Sequence, residues 1–158
     1  MSIKVNGVVL SDATAQYLET ILWSELIHLP ISEKELVDHC MDVGKDHPLS
    51  GVSENDNLDA HYSLDDFTVE ALEGAEHDCS EFYDRADNDG LIERAYRFAD
   101  DSQIGHDFWM TRQGHGAGFW DGDYKDDTDD VGVALTDITK EFGECYVFVD
   151  EDGWLHIE

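Results

Sequence analysis

A chain of 158 residues is long enough for one domain with a buried core, and 41% hydrophobic with 11% aromatic residues excludes a disordered acidic tail. Its 38 Asp and Glu against nine Lys and Arg leave a net charge of −29, several times the magnitude of roughly 2–8 usual for a small domain. That balance argues against phosphate-backbone binding, which needs clustered Lys and Arg, and against docking on anionic lipid. No apolar run approaches the roughly 18 residues of a membrane span.

Ile3-Lys4-Val5 and Val8-Val9-Leu10 flank Asn6-Gly7, the strongest two-residue hairpin turn. Ser11 is placed to cap a helix over 12–27 whose stripe is Tyr17, Leu18, Ile21, Leu22 and Leu26. After Pro30, Ser32 with Glu35 reads as a capping box and Ile31 with Leu36 as a hydrophobic staple, opening a second helix that stops at Gly44. Residues 45–62 read as a long loop. A third helix is expected over 64–87, capped by Ser63 and Asp66, with Val69, Leu72, Ala75, Cys79, Phe82, Tyr83 and Ala86 inward. Asn88-Asp89-Gly90 ends it, and a short helix follows to Phe98.

The last third reads differently. Ile104–Met110 reads as a strand and Ala117–Trp120 as its return across Gly114, Gly116 and Gly118. An acidic loop spans 121–130, a helix 133–142, and a hairpin pairs 145–149 with 154–157 across Asp152-Gly153. The expected fold is a single α+β domain over 1–158, with a helical N-terminal part followed by a β-β-α-β-β C-terminal part. Cys40, Cys79 and Cys145 are odd in number and widely spaced, which fits free thiols in a reducing cytoplasm better than a disulfide framework. The N-terminal MSIKVNGVVL has no secretory character, so the expected location is cytoplasmic, in the host cell if the chain is phage-encoded.

Charge is densest in two places. Glu54 to Asp89 holds thirteen acids and one base, and Asp121 to Asp130 six acids and Lys125. On the third helix, Asp66, Glu70, Glu73, Glu81 and Asp84 fall on the outward face, where acids three or four residues apart sit about 5–6 Å from one another. A row of this kind approximates a row of phosphates. Like charges at that spacing destabilise a helix, so helix formation does not account for it.

The string Gly105 to Asp121 holds two histidines, an arginine and four aromatics. One chemistry for it is a metal-dependent enzyme centred on His106, His115 and Asp121, with Asp107 and Asp123 as further ligands and Arg112 holding a phosphate or carboxylate. The simpler account packs the aromatics into a core and pairs Arg112 with an acid. An EF-hand is rejected: if Asp87 and Asp89 are its third and fifth positions, its first is Arg85 and its twelfth Tyr96.

His106-Asp107-Phe108-Trp109-x-Thr111-Arg112-x-Gly114-His115-Gly116-Ala117-Gly118-Phe119-Trp120-Asp121 resembles a stretch in a group of small acidic proteins of tailed bacteriophages, over about the last third of the chain. That resemblance implies a phage setting and brings no catalytic residues. In overall character the chain also resembles phage-encoded DNA mimics that disable restriction and other DNA-targeting defences.

The leading expectation is a DNA mimic without catalytic residues, metal or cofactor. Asp66, Glu70, Glu73, Glu81, Asp84, Asp121, Asp123, Asp126, Asp127, Asp129 and Asp130 would contact a basic DNA-binding protein of the host, of restriction, modification, CRISPR or nucleoid type. A homodimer would lengthen the charged track. The alternatives are the metal-dependent enzyme and a salt-adapted acidic protein with no DNA-binding target, which would need molar salt to fold.

Overall fold

A computed structural model describes residues 2–29, 48, 49, 51–115 and 117–158. The expected second helix, its Ser32–Glu35 box and its Gly44 stop lie outside the described residues, as does Gly116.

The chain opens as anticipated, with β1 (Ser2–Val5) antiparallel to β2 (Val8–Ser11) and Ile3 opposite Leu10. Asn6 and Gly7 both take positive φ, 48° and 85°, as a tight right-twisted hairpin requires. The Asn6 amide then donates to the carbonyls of Asp65 (2.9 Å) and Phe67 (3.3 Å), fastening this turn to the middle of the chain. Helix α1 (Asp12–Ser24) starts where Ser11 Oγ accepts the Thr14 amide, and it buries Tyr17, Leu18, Ile21 and Leu22. Leu26, expected on the same stripe, lies past the end of α1 and is exposed.

The long central helix begins later than the sequence suggests. Ser63 and Asp66 do form a capping box, but it closes a single 3-10 turn, Leu64–Asp66. Phe67 follows in extended conformation, and Thr68 caps α2 (Val69–Asn88) by accepting the Ala71 amide at 3.1 Å. Gly90 at φ 68° turns the chain into the short helix α3 (Leu91–Ala95).

The expected β-β-α-β-β order of the last third is wrong. Ile104–Met110 lies inside helix α4 (Asp101–Arg112), and Ala117–Trp120 forms turns rather than a returning strand. Asp100 caps α4 by accepting the Gln103 amide at 2.9 Å, and Arg112 sits in its last turn, opposite the negative end of the helix dipole. The helix is buried on most of its circumference: Ile104, Gly105, Asp107, Phe108, Trp109, Met110 and Thr111 are all inside. It packs so closely on α1 that a Cβ on Gly105 would fall 1.9 Å from the Ala13 carbonyl oxygen. After irregular turns come α5 (Gly132–Lys140) and the antiparallel pair β3 (Val147–Val149) and β4 (Leu155–Ile157), with Phe148 opposite His156. The protein is therefore mixed α+β, with five described helices and a two-stranded sheet near each end of the chain.

An aromatic core ties these parts together. Phe82 of α2 stacks on Phe108 of α4 at 4.4 Å and on Phe119 at 5.5 Å, and Tyr17 of α1 meets Trp109 edge-on at 5.2 Å. Beside it, the Thr68 amide donates to the Leu155 carbonyl at 3.0 Å, which sets β4 against the N-terminus of α2. No described helix is long and apolar enough to cross a membrane.

Candidate partner-binding surface

Helix α2 has two opposed faces. Ala71, Leu72, Ala75, Cys79, Phe82 and Ala86 are buried. At 100° per residue they fill one side, and Glu70, Glu73, His77, Glu81 and Asp84 fall in a narrow stripe diametrically opposite. From Glu70 to Asp84 the stripe runs about 21 Å at 1.5 Å per residue. One DNA strand carries about six phosphates over that length. The helix offers four carboxylates, with Glu70, Glu73 and Asp84 exposed and Glu81 half-buried. Asp66 does not continue the helical row. It lies in the preceding 3-10 turn, where its carboxylate accepts the Ser63 amide at 2.8 Å. His77 lies on the stripe four residues from both Glu73 and Glu81.

The arginines do little to neutralise this row. All four arginines are engaged in the fold: Arg85 with Glu81 (3.1 Å) and Glu141 (2.8 Å), Arg94 with Asp129, Arg97 with Asp126, and Arg112 with Asp78 at 2.7 Å. Among the described residues only Arg85 is paired with the stripe, and an exposed pair such as this stabilises by roughly 0–1 kcal/mol.

The late acidic loop is pinned rather than free. Tyr124 is buried and donates its hydroxyl to Asp107 at 2.5 Å, and the Val131 amide returns to the Tyr124 carbonyl at 3.1 Å. Asp126 accepts the amides of Thr128 (2.8 Å) and Asp129 (2.9 Å), and those bonds together with the Thr128 hydroxyl and Arg97 hold its pKa below the usual carboxylate range. The Arg94 guanidinium does the same for Asp129. Asp121 accepts the Gly118 and Asp123 amides, and its charge pushes the Asp123 pKa up. Of the six acids all but Asp129 are exposed; Asp126 and Asp129 pair with arginines and Asp121 shapes its turn. Phe119, at the base of the loop, packs on Phe82 on the inner face of α2, so the loop and the stripe start from opposite sides of that helix.

The residues considered as metal ligands are used elsewhere. Asp107 is buried in α4 and takes hydrogen bonds from Gln103 (3.0 Å), His106 Nδ1 (2.8 Å) and Tyr124. The His106 ring stacks on Trp23 at 5.6 Å. His115 bonds to Glu25 at 3.0 Å. Among the described residues no three His, Cys, Asp or Glu form a group that could hold a metal ion. Arg112 does not offer itself to a phosphate. Its guanidinium is nearly buried, donating to Asp78, the Tyr17 hydroxyl and the carbonyls of Phe142 and Gly143. Burial opposes its charge, but Tyr17 and Asp78 more than offset that and hold its pKa above the ordinary arginine value. The glycines serve the turns: Gly114 has φ 70°, and a Cβ on Gly118 would fall 2.3 Å from Thr111 Oγ1, which accepts the Phe119 amide.

No protein-family model, curated protein or solved structure matches the chain.

Proposed function

We propose that this protein is a DNA mimic that binds a basic DNA-binding protein of a bacterial host and occupies the groove meant for duplex, as a phage counter-defence inhibitor. The observation that carries this reading is the α2 stripe. Glu70, Glu73, Glu81 and Asp84 stand opposite the buried face on a helix packed into the aromatic core, and among the described residues Arg85 is the one cation paired with them. A row of like charges has a stability cost that a solubilising surface does not require. Asp123, Asp127 and Asp130, exposed on the late loop, add to the negative field. The phage setting rests on the likeness of the His106–Asp121 string described above. The net charge of −29 would steer association with a positive groove.

The test is capture from a bacterial lysate at low salt, followed by elution with duplex DNA. One DNA-binding protein released by duplex is the expected result. Glu70→Lys, Glu73→Lys and Asp84→Lys together avoid the capping residue Asp66. They should slow association with that protein by about ten-fold or more. A folded triple variant that binds as fast as the parent would remove α2 as the mimic surface.

A further inference from the structure

A groove of about 560 Å³ opens at the N-terminal end of the α2 stripe, lined by Asn6, Thr68, Val69, Glu70 and Trp154. Its walls are fixed by three fold-building contacts. Asn6 is bonded to the carbonyls of Asp65 and Phe67, Thr68 caps α2, and the Thr68 amide bonds to Leu155, next to Trp154. Two large apolar side chains are left in solvent here, Val69 at 41% exposure and Trp154 at 44%. Glu70, the first acid of the stripe, stands beside them.

The chain itself shows what this combination suits. Three of its four arginines are held by a carboxylate and an aromatic face together. Arg85 pairs with Glu81 and lies 4.7 Å from the centre of Phe142, Arg97 pairs with Asp126 and lies 5.4 Å from Phe98, and Arg112 pairs with Asp78 and lies 5.6 Å from Phe142. Trp154 and Glu70 place a ring and an acid on the lining of one open groove, and indole is the best of the rings for binding a cation.

We propose that this groove receives an arginine side chain of the partner, its methylenes against Val69, its guanidinium over the Trp154 indole and against the Glu70 carboxylate. The inference rests on the mimic reading and deepens it. Phosphates and carboxylates already favour the planar arginine fork over lysine, and an indole adds a face on which a guanidinium stacks better than an ammonium. The groove would add side-chain selectivity to an otherwise electrostatic surface.

The probes are hexa-arginine and hexalysine peptides, titrated calorimetrically at low salt into the parent protein and into Trp154→Leu, Trp154→Phe and Glu70→Gln, each first checked for an unchanged melting curve. The parent should prefer hexa-arginine by about five-fold or more. Trp154→Leu, which keeps apolar volume but no ring, should cut the preference by lowering hexa-arginine affinity more than hexalysine affinity. Trp154→Phe should retain part of it, and Glu70→Gln should weaken hexa-arginine more than hexalysine. A preference untouched by Trp154→Leu overturns the groove while the charged surface stands, and so does Trp154-dependent self-association in sedimentation. If neither peptide binds the parent at low salt, the mimic reading itself fails, and the groove with it.

Discussion

At the scale of single residues, the most informative site is one that the charge pattern does not reveal. Asp107 is a buried carboxylate, and it is tolerated because Gln103, His106 and Tyr124 all donate to it. Tyr124 thereby fastens the acidic loop to α4. Tyr124→Phe deletes one hydroxyl and leaves that carboxylate with a donor fewer, so the protein should lose about 1.5–3 kcal/mol in urea unfolding. Amides of residues 121–130 should exchange faster in the variant. An unchanged midpoint would mean that the bond holds nothing in place. Gly105 sets a second limit. With its would-be Cβ 1.9 Å from a backbone oxygen of α1, Gly105→Ala has to push the two helices apart, and a loss of about 1–3 kcal/mol or more is expected from the same measurement. A neutral result would show that α1 and α4 can slide to make room.

Element by element, the hairpin at Asn6-Gly7, the Ser11 cap and most of the inner face of α2 are legible in the sequence because local chemistry decides them, although Val69, expected inward, is exposed, Tyr83 is half-buried, and Ala71 is buried instead. A two-residue turn, a hydroxyl cap and a strong helical period need no information from the rest of the chain. Helix α4 is not legible in that way. Nearly all of its circumference is buried, even at Asp107, so no polar face marks a helical period, and a short segment such as Ile104–Met110 can be taken for a buried strand. Asp100, accepting the Gln103 amide, was the discriminating signal. In the acidic loop, composition identified the carboxylates but not their ion pairs, because Arg94 and Arg97 reach Asp129 and Asp126 from about thirty residues away in sequence. The stripe on α2 carries its own prediction. Glu70 with Glu73, and Glu81 with Asp84, are like charges three residues apart. Glu73→Gln should therefore raise stability by about 0.2–0.5 kcal/mol while weakening partner binding. A variant that lost both stability and affinity would show Glu73 to be part of the fold rather than a row held for a partner.

Over the whole molecule, self-repulsion sets how stability responds to pH and salt. With 38 carboxylates against nine cations the native state gains when acids are protonated or screened. Asp123 is a local instance: Asp121 raises its folded pKa, so it opposes folding at neutral pH, and that penalty disappears as pH falls through the raised value. Three other carboxylates act in the opposite sense. Asp126 is held down by the Thr128 amide and Asp129 by Arg94. At Asp150, burial pushes the carboxyl up, but His156 and the amides of Trp154 and Asp152 more than offset it. Their contribution is present above the unfolded carboxylate value of about 3.9 and is lost as pH drops through the lower folded values. In dilute buffer the melting temperature should therefore climb as pH falls from 7 to about 4.5, then drop below about 3.5. At about 0.5 M salt, where screening is nearly complete beyond a few ångströms, the climb should flatten and the acid-side drop should remain. Circular dichroism melts along both pH series decide it. A chain unfolded in dilute buffer at pH 7 and rescued only by molar salt would instead be a salt-adapted protein, its carboxylates serving the fold in brine rather than a basic groove on a partner.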